Sequence, residues 1–141
     1  MLAELKTKIE NEVPEINNIN LSNLGIYFMK QPPYFPEGIN VVENNDGYNL
    51  IFTERGKITS EDIDLTADEV EYRLLKVIAQ TISSEKIGGI SEFEINELIN
   101  NQEFDKIEQL VKQMKEKRYQ YEKKILGKIN PKYLIWYESE N

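Results

Sequence analysis

Three observations on this chain predict an α+β fold. Apolar residues recur at helical spacing near the N-terminus and again from about residue 67 onward. Between them, from Gly25 to about Leu65, they fall in short β-branched or aromatic runs broken by Gly, Pro, Asn and Asp. No Gly-, Ser- or Pro-rich linker and no internal repeat divides the 141 residues. The expected architecture is one domain, 1–141, with an N-terminal helix, an antiparallel meander of three to four strands and a helical C-terminal half packed on the sheet.

Leu2, Leu5, Ile9 and Val13 step by three and four, which predicts a short amphipathic helix that Pro14 helps to end. The polar stretch Asn17-Asn18-Ile19-Asn20 reads as a loop. Strands are expected at Ile26–Met29, Ile39–Val42 and Tyr48–Phe52, separated by Pro32–Gly38 and by Asn45-Asp46-Gly47. A fourth is expected at roughly residues 57–65. Thr66-Ala67-Asp68-Glu69 has the capping-box pattern and opens a helix of about residues 67–86, which Gly88-Gly89 closes. Ser91-Glu92-Phe93-Glu94 opens a shorter one. The longest helix carries the stripe Ile107, Val111, Met114, Arg118, Tyr121, Ile125 and is expected to stop near Gly127 and Pro131. The tail Tyr133-Leu134-Ile135-Trp136-Tyr137 is too apolar to hang free and should dock on the body.

Composition narrows the function. With no cysteine there is no disulfide, thiolate nucleophile or thiolate metal site, and with no histidine the usual neutral-pH base and commonest metal ligand are missing. These absences weigh against an enzyme, and no cofactor or metal is expected. Asp62-x-Asp64 lacks the glycine and terminal glutamate of a calcium loop, and Gly127-Lys128 lacks the glycine spacing of a phosphate loop. No apolar run approaches the roughly 20 residues of a spanning helix, and the N-terminus shows no signal-peptide pattern, so a cytoplasmic protein without a membrane partner is expected. A net charge of −8 disfavours nucleic acid and favours a basic partner.

Four groups of residues stand out. Glu61, Asp62, Asp64, Asp68, Glu69 and Glu71 form the densest acidic block, and two readings remain open. It is a negative face that steers a cationic partner, or it is in part the ordinary preference of carboxylates for the first turns of a helix. Glu54-Arg55-Gly56 lies where one strand turns into the next. Gly56 suits the positive φ of a tight turn, which leaves the glutamate and arginine either solvated or functional. Arg118 falls on the apolar stripe and must snorkel or find a carboxylate, with Glu122 one helical turn on and Glu54 a longer-range candidate. The lysines from Lys112 to Lys132 read as a solvated helix face before they read as a nucleic-acid site.

The order Tyr48-x5-Glu54-Arg55-Gly56, then Thr66-Ala67-Asp68 opening a helix, then Arg118-x3-Glu122-x2-Ile125-Leu126 and Pro131, resembles bacterial immunity proteins of polymorphic toxin systems, in particular the family catalogued as immunity protein 63. The resemblance spans about residues 45–131. Two positions depart from the pattern: Asn49 stands where a histidine often follows the tyrosine, and Lys115 where a tryptophan often precedes the arginine. The resemblance implies a non-enzymatic cytoplasmic antidote that binds and neutralises a cognate toxin domain. It marks Tyr48, Glu54, Arg55, Gly56, Arg118 and Glu122 as the shared positions, whether for fold or for binding. Combined with the acidic face at Glu61, Asp62 and Asp64, it points to a basic toxin such as a nuclease. The alternatives are a carboxylate-and-metal enzyme, and a regulatory module that self-associates through the last helix and the aromatic tail.

Overall fold

The computed structural model describes residues 2–13 and 20–141. Its elements are α1 (Leu2–Glu12), strands β1 (Ile26–Met29), β2 (Gly38–Glu43), β3 (Tyr48–Glu54) and β4 (Lys57–Leu65), then α2 (Ala67–Ile87), α3 (Glu92–Asn100), α4 (Phe104–Ile129) and α5 (Pro131–Glu140). This is the α+β class expected. Two compact units are distinguishable, Met1–Leu75 and Lys76–Asn141, and α2 runs from one into the other. The expected stop at Pro14 and most of the loop at 17–20 lie outside the described residues. Asn20 caps a short 3-10 turn, Leu21–Leu24, by accepting from the Ser22 amide at 3.2 Å.

In the first unit the strands lie in the order β1-β2-β3-β4. β2, β3 and β4 form the expected antiparallel meander, and β1 departs from it by pairing parallel to β2, Ile26 against Ile39 and Met29 against Val42. Parallel neighbours usually need a crossover of about a dozen residues. Here β1 is four residues long, so the stretch 30–37 suffices to bring the chain back.

That stretch also covers one face of the sheet. Phe35 stacks on Tyr27 with ring centroids 3.9 Å apart, and its backbone amide donates to Asn40 Oδ1 at 3.0 Å. The carbonyl of Phe35 accepts from Thr53 Oγ1 at 2.7 Å, while Asn40 Nδ2 donates to the Ile51 carbonyl at 3.3 Å. Asn40 is wholly buried, and this network satisfies its amide.

Register assigns the faces. Cross-strand partners point the same way, so Ile26, Val41, Leu50 and Leu65 share the opposite face, and all four are buried. Leu2, Leu5 and Ile9 of α1 and Val70, Leu74 and Leu75 of α2 are also buried in this unit. Across the α1–α2 junction, Lys8 Nζ lies 2.8 Å from Glu71 Oε2 and 3.9 Å from Glu12 Oε1.

The capping box at α2 forms reciprocally: the Glu69 amide donates to Thr66 Oγ1 at 3.1 Å and the Thr66 amide to Glu69 Oε1 at 3.2 Å. Ser91 caps α3 in the same sense.

In the second unit, Gly127 does not end a helix. α4 continues to Ile129, and a Cβ on Gly127 would meet Leu134 Cδ2 at 3.2 Å, so the missing side chain lets α5 lie close against α4. Asn130 ends α4 and caps α5, accepting from the Lys132 amide at 3.1 Å, with Pro131 in the first turn where it sacrifices no helical bond. The aromatic tail is therefore a docked helix, with Tyr133 and Tyr137 buried. The α4 stripe is buried only near its end: Glu122, Ile125 and Leu126 are inside, and nothing before them in the helix is. No described helix is long and apolar enough to cross a membrane.

Candidate functional site

β4 is an edge strand, and seven of its nine residues are exposed. Its first hairpin is a two-residue turn with Arg55 at φ 52° and Gly56 at φ 80°, the pair of positive angles that matches strand twist. The Gly56 amide donates to the Pro36 carbonyl at 2.9 Å, which ties the turn to the stretch that covers the sheet. Glu54 and Arg55 project into solvent. Gly56 thus does what a turn requires of it, while Glu54 and Arg55 stay available.

Two register irregularities interrupt β4, one opposite Phe52/Thr53 and one opposite Tyr48/Leu50. At the second, Asp64 takes φ 56°, a conformation that aspartate tolerates better than most residues. Side chains from across the sheet hold it there. The Asp64 amide donates to Asn49 Oδ1 at 3.0 Å, and Asn44 Nδ2 donates to Asn49 Oδ1 at 2.6 Å and to Asp64 Oδ1 at 3.3 Å. Asn49 is therefore the anchor of a bulge.

Between the irregularities lie Ser60, Glu61 and Asp62. Asp62 pairs with Arg73 of α2 at 2.5 Å, both side chains being more than a third exposed. Glu61 faces water, as does Asp64. Ile58 and Ile63, on the same strand, are 50% and 60% exposed.

The rest of the acidic block divides differently. Glu69 is spent on the cap. Glu71 is only 2% exposed and held by Lys8, so it adds nothing to a solvent-facing field. Glu12 lies beside it, with Oε2 buried and without a hydrogen-bond partner. Burial and the hydrogen bond to Glu71 push the Glu12 carboxyl up to about 7.

Tyr48 is 4% exposed, and burial raises its phenol above the usual range. It contributes from inside the sheet unit. Arg118 and Glu122 lie in the second unit and do not pair with each other. Arg118 donates through Nη2 to the Gly88 carbonyl at the end of α2, so that carbonyl, and neither Glu54 nor Glu122, is its partner. Its Nε is buried without a partner.

Glu122 is 7% exposed and accepts from two hydroxyls, Ser83 Oγ of α2 and Tyr137 Oη of α5. Burial, with the Glu122 bond second, pushes the Tyr137 phenol up to about 12, so it stays a donor. This buried carboxylate ties three helices of the second unit together. An open cleft of about 560 Å³ lies beside it, lined among others by Lys112, Lys115, Arg118, Tyr119 and Glu116.

Sequence reading did not find Ser83 or Tyr137, because nothing local pairs a helix serine with a tyrosine 54 positions on. A carboxylate one turn beyond an arginine suggested a local ion pair instead. Among the described residues no group of three or more acidic side chains is placed to hold a metal. No family model, curated protein or solved structure matches this chain.

Proposed function

We propose that this chain is an immunity protein, a non-enzymatic cytoplasmic antidote that binds a cognate toxin domain and covers its active site. The observation that carries the reading is the open acidic edge of β4. Glu61 and Asp64 are exposed and have no ion-pair partner among the described residues, on a chain of net charge −8, and the neighbouring Glu54–Arg55 turn is exposed as well. Such a surface attracts a cationic domain, and a basic nuclease is the toxin class it suits. Complementary charge of this kind accelerates association by roughly 10–1000-fold at low salt and fades within a Debye length of about 10 Å at 0.1 M. Asp62 contributes less, since Arg73 already offsets it. The resemblance along residues 45–131 supplies the biological context.

The test is co-expression with the C-terminal domain encoded by the gene immediately upstream. Rescue of growth with co-purification of the two chains is expected, weakened when Glu61 and Asp64 are both changed to lysine. Toxicity without rescue would overturn the reading.

A second reading, a self-associating module, draws on exposed apolar side chains in the second unit: Phe93 of α3 is 78% exposed, and Phe104 of α4 and Ile135 of α5 are also exposed. A mass that rises with concentration would favour it.

A further inference from the structure

We infer that β4 receives an extended, cationic segment of the partner as a fifth strand of the sheet. This rests on the binding reading above and specifies how the partner engages. Edge strands are normally blunted by shortness, charged side chains, proline, bulges or a covering element, because their unpaired backbone groups template further pairing. β4 has two bulges and acidic side chains but, among the described residues, lacks the other devices. β4 has nine residues, no proline and one lysine, at its first position. Its exposed residues lie on both faces. Ile58 shares a face with Thr53 and Glu61 with Ile51, while Ser60 and Asp62 share the other with Phe52 and Leu50. Among the described residues nothing therefore covers the strand from either side along Lys57–Ser60.

The two register irregularities shape the opening. They bracket Ser60–Asp62 in regular pairing, with exposed Ile58 and Ile63 beyond either end. An added strand would meet backbone groups at the centre and an apolar side chain toward each end, the usual division of affinity and specificity in strand addition.

Charge selects the occupant. A second copy of β4 added antiparallel about Glu61 would set Glu61 directly against its own copy, with Asp62 opposite Ser60 and Asp64 opposite Ile58, and would bring together two strands that each carry three carboxylates; like charges directly opposite are destabilising. Phosphate backbones and anionic lipid surfaces meet the same repulsion. A strand bearing lysine or arginine with β-branched residues meets neither obstacle: the cations on one of its faces lie beside Glu61, and Ile58, on that same face, packs against their aliphatic stems.

The experiment measures backbone amide exchange by NMR on the full chain with a synthetic peptide of about nine residues, the length of β4, alternating lysine and valine. Protection of alternate β4 amides by about tenfold or more is expected, with little change in the helices. The same peptide with glutamate for lysine should not protect wild-type β4. It should protect the Glu61→Lys, Asp64→Lys variant, which discriminates strand addition from nonspecific attraction. Unchanged β4 exchange at millimolar lysine–valine peptide, or protection confined to α3 and α4, would overturn the proposal.

The outcome is separable from the immunity reading. Rescue by co-expression with no β4 protection would leave the antidote standing and remove strand addition. Protection without rescue would leave a strand-accepting edge on a protein that is not an antidote.

Discussion

Two carboxylates that look alike in the sequence, Glu61 on β4 and Glu122 on α4, have opposite circumstances in the fold. Glu61 sits in water on an edge strand, with no structural bond holding it. Glu122 is buried and accepts from Ser83 and Tyr137, so each of its oxygens already has a donor. A solvated charge acts at a distance and costs the fold almost nothing to keep or remove. A buried one is fixed by its donors, which lose a charged acceptor when it goes. The comparison separates residues that recognise from residues that hold, and it places Tyr48 with Glu122 among the latter.

The largest effect should come from Glu122→Ala. It takes the acceptor from the buried Tyr137 hydroxyl and leaves Ser83 Oγ only the Gln80 carbonyl at 3.0 Å. Hydrogen bonds to a charged acceptor contribute roughly 1.5–3 kcal/mol each, so a loss of about 2–4 kcal/mol is expected in urea denaturation. An unchanged midpoint would erase the distinction drawn above. Glu12 offers a sharper version, because its charge is the unfavourable state. Its carboxyl is raised from 4.5 to about 7 in the fold, so its contribution to stability is full below about pH 4.5 and is lost as pH rises through 7. Glu12→Gln keeps a donor for Glu71 and removes the titration. The variant should be more stable than wild type by about 1–3 kcal/mol at pH 8 and near parity at pH 4, read as melting temperature against pH. A constant difference across that range would contradict the assignment.

Thr66→Ala removes one half of the reciprocal cap and should cost about 1 kcal/mol. At the far end of the scale, Glu61→Lys should leave stability within about 0.5 kcal/mol while slowing association with a cationic partner. A large loss of stability would mean that Glu61 belongs with Glu122.

What was legible in the sequence follows the same division between local and distant causes. Thr66 to Glu69 announced the cap, and the turn at Arg55-Gly56 set β4 at Lys57–Leu65, because both are decided within a few residues. The parallel β1–β2 pair was not legible: alternation is identical for either direction, and what turns the chain is Phe35 lying on Tyr27 and bonding Asn40 and Thr53. Gly127 read as a helix stop because the demand on it comes from Leu134 of the next helix. The acidic block read as one surface, yet Glu71 turns inward to Lys8, Asp62 pairs with Arg73, and Glu61 and Asp64 remain outside. Residue type gave the charge, and only packing could say which side of the surface it occupies.

The most direct measurement is the association rate with the upstream-encoded toxin domain as a function of salt, for wild type and for the Glu61→Lys, Asp64→Lys variant. Wild type should associate fast and slow steeply as salt rises, while the variant should be slower at low salt with a nearly flat dependence. Equal rates and equal salt slopes, or no association by either protein, would contradict recognition through the acidic edge.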